Sequence, residues 1–68
     1  MPSSAIRHLA YDAATRELTV TFVSGRRYAY ADVAPEMFTA ISTTPSQGTF
    51  FNAHIRDAYA YRELERRR

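Results

Sequence analysis

Ser24-Gly25-Arg26-Arg27-Tyr28-Ala29-Tyr30-Ala31-Asp32-Val33-Ala34-Pro35 reads as a hairpin turn, an aromatic strand and a helix start in immediate succession. The strand before it carries Leu18, Val20 and Phe22 in strict alternation with Thr19, Thr21 and Val23, β-branched residues suited to a pleated surface. Loop length decides how the two strands pair, because a one-residue slip turns every side chain to the other face. A two-residue Ser24-Gly25 loop sets Arg27 and Ala29 beside Phe22 and Val20. A three-residue loop Val23-Ser24-Gly25 sets Val20 opposite Tyr28 and Leu18 opposite Tyr30. Apolar pairing selects the second, with Gly25 supplying the left-handed conformation of a G1 bulge.

The same parity argument extends toward the N-terminus. Leu9 and Tyr11 share one face of a strand with His8 and Ala10 on the other, while Ile6 breaks the alternation and predicts a bulge or bend. Pairing Tyr11 with Leu18 and Leu9 with Val20 leaves Ala13-Ala14-Thr15-Arg16 as a four-residue loop, a common length. The result is a three-stranded antiparallel meander.

Toward the C-terminus, Pro35 and Glu36 mark a helix start, with Asp32 as the nearest N-cap candidate. Ala34, Met37, Phe38 and Ile41 fall at i, i+3, i+4 and i+7, a stripe able to lie on the sheet, and Ser42-Thr43-Thr44-Pro45 ends the helix. A second short helix is expected within residues 46 to 56, where Phe51 and Ile55 stand four apart and Ser46 or Thr49 is available to cap. Tyr59-Ala60-Tyr61 echoes Tyr28-Ala29-Tyr30, and reads either as a final edge strand or as the start of a helix through Leu64. The expected fold class is α+β: a three-stranded antiparallel meander followed by a packed helix, a short second helix and an aromatic C-terminal segment.

At 68 residues the chain holds one domain, residues 1–68, with residues 1–4 and 65–68 read as flexible tails. A domain of this size buries only about 60% of the surface its unfolded chain exposes. The core must therefore be small and aromatic-rich, and a hydrophobic content of 46% is a globular composition. There is no cysteine, which rules out disulfides and thiolate metal sites and fits a reducing compartment. Two histidines are too few to hold a metal without carboxylates. No secretory signal pattern and no membrane-length apolar run is present, so a cytoplasmic protein with no membrane partner is expected. All nine basic residues are arginine and the net charge is +2. Residues 1–46 carry four arginines against four acids, and residues 47–68 carry five against three, so the excess lies at the C-terminal end.

Ser4-x-Ile6, Tyr11-Asp12, Leu18-x-Val20-x-Phe22, Gly25, Tyr28-x-Tyr30, Val33, Pro35, Ser46-x-Gly48, Phe51-Asn52, Ile55-Arg56 and Tyr59-x-Tyr61 together resemble the KTSC domain. The resemblance covers about residues 3–64. That family takes its name from the C-terminal end of some lysyl-tRNA synthetases, occurs also as small stand-alone bacterial proteins, and carries a central Tyr-x-Tyr. The resemblance implies a small binding module of otherwise uncharacterised molecular function, with RNA or tRNA as the ligand. Two positions depart from the pattern. Ser46-Gln47-Gly48-Thr49 has no basic residue where many relatives carry one or two, which weakens a phosphate-binding role for that loop. Ala60 stands where the final aromatic pair usually brackets a proline, which relaxes the constraint toward extended backbone.

Four constellations carry candidate chemistry. The aromatic motif Tyr28, Tyr30, Tyr59 and Tyr61 is either core or a stacking platform for bases, and the register above favours core for Tyr28 and Tyr30. Their hydroxyls then need partners, for which Arg56 or Asn52 are the candidates. Arg26, Arg27, Arg56 and Arg62 form a candidate phosphate-contacting, nucleic-acid-binding set, together with the terminal arginines. The alternative is a solvated surface paired with acids. Ser46 and Gly48 are a candidate anion site at a helix start, against the simpler role of capping their own helix. Phe51-Asn52-x-His54-Ile55-Arg56 crowds polar groups of catalytic type, but no nucleophile, acid pair or glycine-rich phosphate loop accompanies them, so no catalytic residue, metal or cofactor is assigned. Exposed edge strands also admit a protein partner or a homo-oligomer.

Overall fold

The computed structural model describes residues 5–64. The elements run β1 (Ile6–Asp12), β2 (Glu17–Phe22), β3 (Arg27–Tyr30), α1 (Pro35–Thr43), α2 (Gln47–His54) and β4 (Tyr61–Leu64). The four strands form one antiparallel sheet in the order β1-β2-β3-β4.

Both hairpins adopt the register that parity requires. Tyr11 faces Leu18 and Leu9 faces Val20, with the ladder shifting between Ile6 and His8, where the alternation breaks. Leu18 faces Tyr30 and Val20 faces Tyr28. Gly25 sits at φ 95°, and its N–H donates to the Phe22 carbonyl at 2.9 Å. A side chain at that φ carries a steric penalty that glycine escapes. The four-residue loop after β1 is held by the Asp12 carboxylate, which accepts from the Ala14 N–H at 3.0 Å. It closes with Arg16 at φ 60°.

The three-stranded meander forms as expected, and of the two readings open for the C-terminal aromatic segment the edge strand is the one formed. The C-terminal aromatic segment adds a fourth strand, with Tyr61 opposite Tyr30 and Glu63 opposite Tyr28. The Ala31 N–H donates to the Ala60 carbonyl at 2.9 Å, so Ala60 serves in an extended role without a proline's help. The reason is an unmet ladder. Without β4, the outer N–H and C=O groups of β3 stand unpaired at a sheet edge.

Asp32 is not the N-cap of α1. The cap is Ala34, extended at φ −66° and ψ 147°, with no side-chain cap bond and Pro35 in the first turn. A residue before proline is driven to extended backbone, which puts the helix boundary at Ala34 and leaves Asp32 to turn the chain at φ 59°. In α2, Ser46 does stand at the cap position, but its hydroxyl makes no cap bond.

Both helices cover one face of the sheet. Leu18, Val20, Phe22, Tyr30 and Val33 form the core with Ile41 of α1, Phe51 of α2 and Ile55 just beyond it. Met37, Phe38 and Tyr11 pack half-buried against this core. Tyr11 stacks on Phe38 with ring centroids 4.9 Å apart and planes within 10°. Its hydroxyl donates to the Val33 carbonyl at 2.6 Å, tying β1 to the β3–α1 connection. The expectations for residues 1–4 and 65–68, the terminal arginines included, lie outside the described residues. Among the described residues no helix is long and apolar enough to cross a membrane.

Candidate functional site

The C-terminal end of α2 stops short of the β3–β4 edge and leaves a cleft of about 460 Å³, within the range of small-ligand sites. Strand alternation builds its wall. Tyr28 and Tyr30 point to the helix side of the sheet because they are two apart, and antiparallel pairing brings Tyr61 to the same side. From α2, Phe51 descends between Tyr30 and Phe22.

The five rings form a closed circuit. Tyr28 meets Tyr61 at 5.7 Å, Tyr61 meets Tyr30 at 5.4 Å, and Tyr30 meets Phe51 at 5.4 Å. Phe51 meets Phe22 at 5.4 Å and Phe22 returns to Tyr28 at 5.7 Å. Four of the five contacts are edge-to-face, with interplanar angles of 71° to 80°, the arrangement in which a positive ring edge meets a negative face. All five rings line the cleft, and Ser24, Arg26, Asn52, Arg56 and Asp57 supply its polar part.

The expectation that tyrosine 28 and 30 belong to the core holds fully for Tyr30, which is 3% exposed, and in part for Tyr28, which is half-buried. Their hydroxyls do not find the partners expected. Tyr28 accepts a hydrogen bond from Arg26 Nη1 at 3.3 Å, a neighbour two along the chain. Tyr30 makes no side-chain hydrogen bond to another described residue, and among those residues no buried polar side-chain atom lacks a partner. Its hydroxyl is therefore the part of the residue that opens to the cleft. Burial, with Tyr61, Tyr28 and Asp57 nearby, pushes its pKa up to about 12, against the opposing pull of Arg56. Tyr30 remains a protonated donor at neutral pH.

The four candidate arginines are divided between the two faces of the sheet. Arg26 and Arg56 stand at the cleft. Arg27 and Arg62 project from the opposite, helix-free face, since Arg27 follows Arg26 on an alternating strand and Arg62 pairs with Ala29. There Arg62 reaches Glu17 on β2 at 3.2 Å. The small Ala29, 3% exposed, lies in the strand between them and leaves room for the bridge. Arg26 approaches Glu63 at 3.9 Å, and its pKa is raised by the Tyr28 hydrogen bond first and by Glu63 second. Arg56 has no ion pair among the described residues.

Tyr59 packs half-buried against the core, away from the circuit of rings, while Tyr61 is 59% exposed. Ser46 and Gly48 line a second depression of about 530 Å³ between the start of β1 and the α1–α2 connection, with no basic residue among its lining. His54 does not join Asn52 and Arg56 at the cleft. It stacks on Phe50 at 4.5 Å, the neighbour four residues back, as the helical repeat dictates. His8 lies on the helix-free face of β1. Among the described residues no three metal-ligating side chains gather.

Asp57 lines the cleft although it was not among the candidate residues. Sequence reasoning also grouped Arg26 with Arg27, although strand alternation separates them.

The architecture and the motif have known counterparts. The KTSC domain family model matches residues 2–59. A lysine–tRNA ligase from Nostoc punctiforme is 33% identical over 61 residues, 90% of this chain and 11% of the ligase, so the chain spans only a small part of that relative. An uncharacterized protein from Stutzerimonas stutzeri is 40% identical over 52 residues, 76% of this chain and 73% of that protein. The crystal structure of a KTSC domain protein from Yersinia pestis matches with a TM-score of 0.87 at 26% identity, covering 96% of this chain and 92% of that one. The circuit of rings around Tyr28-x-Tyr30 is thus the structural setting of the motif in a chain that belongs to the KTSC domain family.

Proposed function

We propose that this domain is a non-catalytic cytoplasmic RNA-binding module, with tRNA as the favoured ligand, and that it binds through the cleft between the β3–β4 edge and the end of α2. The observation that carries this reading is the juxtaposition there of five aromatic rings with Arg26 and Arg56. Stacking on aromatic side chains together with phosphate contacts by arginine is the common chemistry of single-strand recognition. The similarity to a stretch of a lysine–tRNA ligase supports tRNA as the first ligand to test.

The test is titration of labelled tRNA and single-stranded RNA at about 50 and 200 mM salt. Two phosphate contacts on a single strand weaken affinity by about sevenfold over that range, from a slope of about −0.7 per contact. Arg56→Ala flattens the slope by one contact, while Arg27→Ala, on the opposite face, leaves the cleft's binding unchanged. No binding at the lower salt refutes the proposal.

A second reading rests on β4. It is a sheet edge with one open ladder, which suits a partner strand or a second copy of the chain. Light scattering over a concentration series tests it, and a monomer throughout excludes the homo-oligomer.

A further inference from the structure

Taking the RNA-binding reading as its basis, we infer that the cleft holds one unpaired guanine base, with Asp57 and the Tyr30 hydroxyl reading its edge and the accessible rings of Tyr28 and Tyr61 stacking on it. Tyr30 supplies the decisive observation. The residue as a whole is only 3% exposed, yet its hydroxyl bonds to no described residue and is the part of it that opens into the cleft. A hydroxyl fixed in place by a buried ring and left unbonded by the protein is a preorganised hydrogen-bonding group for a ligand. As a protonated phenol it can donate to a ligand acceptor such as a carbonyl oxygen.

The other cleft groups narrow the ligand. Asp57 lines the cleft beside Arg56, so a carboxylate acceptor stands next to a guanidinium donor and a phenolic donor. Guanine presents N1–H and the 2-amino group side by side, which a carboxylate accepts together, and beside them O6, which accepts from a phenolic O–H. Adenine, cytosine and uracil each lack the adjacent pair of N–H donors. A bare phosphate would place its charge against Asp57. A cationic ligand in an aromatic cage is disfavoured because two arginines share the cleft with it. The cleft is also large enough for a base and its sugar, at about 460 Å³.

The experiment uses labelled uridine heptamers whose central position is guanosine, adenosine, cytidine, uridine or an abasic ribose, titrated against the full chain at about 50 and 200 mM salt. Guanosine at the centre is expected to bind about tenfold tighter than the abasic form, the factor a good bidentate base contact supplies. Asp57→Asn, which removes the double acceptor, should abolish that preference. Tyr30→Phe keeps the ring and should weaken guanosine binding about fivefold while leaving the thermal transition in place, which separates recognition from folding. A preference for another base overturns the inference. Equal affinity for all five heptamers, with salt dependence retained, overturns it and leaves the RNA-binding reading intact. Failure of every heptamer and of tRNA to bind at the lower salt overturns both.

Discussion

Removing one oxygen atom, in Tyr11→Phe, isolates the hydrogen bond that ties β1 to the start of α1. The hydroxyl donates to the Val33 carbonyl at 2.6 Å, while the ring stays stacked on Phe38. Val33 itself is fully buried, and its N–H is already committed to the Arg16 carbonyl at 2.9 Å. Deleting the hydroxyl therefore removes a net contribution of about 1 kcal/mol and leaves a partly buried carbonyl short of a donor, which costs about 1 kcal/mol more. The sum of about 2 kcal/mol corresponds to a drop of about 10 °C in Tm, since a domain of this size loses about 4–8 °C per kcal/mol. Urea unfolding and a thermal melt followed by circular dichroism measure it, with the m-value expected to stay constant because the buried area hardly changes. Tyr30→Phe is the control. Its hydroxyl bonds to no described residue, so the same atom removed there should move stability by less than about 0.5 kcal/mol. A Tyr11→Phe shift below about 2 °C, or equal losses in the two variants, would refute the reasoning.

Further outcomes follow from the same geometry. The Tyr30 phenol is raised from 10.0 to about 12, so between those values the unfolded chain has lost a proton that the native state keeps. Its contribution to stability is therefore intact below about pH 10 and falls away as pH rises toward and through 12. Ultraviolet difference titration should show a late-titrating phenol that is absent in Tyr30→Phe, and a titration curve unchanged by that substitution at its alkaline end would contradict this. Arg16 holds φ 60° without being glycine, so Arg16→Gly should stabilise the chain by up to about 1 kcal/mol in chemical denaturation. A loss of stability would show that its side chain matters more than its backbone. The Arg62–Glu17 pair is solvent-exposed at 61% and 35%, so Arg62→Ala should cost less than about 1 kcal/mol, and less still in high salt. A larger loss would mean that the pair shields Ala29 from water more effectively than its exposure indicates.

The meander was legible because its signals are local. Leu18, Val20 and Phe22 alternate over a short span, loop lengths are few, and parity admits only one pairing for Tyr28 and Tyr30. The bulge near Ile6 was legible for the same reason, as a break in a period of two. The start of α1 at Pro35 was legible, but its cap was misread as Asp32, when the constraint that Pro35 imposes on Ala34 was the stronger signal. The separation of Arg26 from Arg27 was also available in the sequence, since neighbours on a strand face opposite ways. Asp57 was not, because nothing local distinguishes it from the other acids near the C-terminus.

By itself the sequence determined which residues pair, which face of each strand is apolar and which family the chain resembles, because alternation, turn chemistry and motif order act over a few residues at a time. Only the tertiary structure decided that Tyr59-Ala60-Tyr61 leads into a fourth strand, that Tyr61 closes a circuit of rings with Tyr28, Tyr30, Phe22 and Phe51, and that the Tyr30 hydroxyl opens to a cleft instead of bonding to Arg56. Those outcomes depend on contacts between segments some thirty residues apart along the chain. Helix or strand was undecided for the last segment until the open edge of β3 required a partner for its backbone.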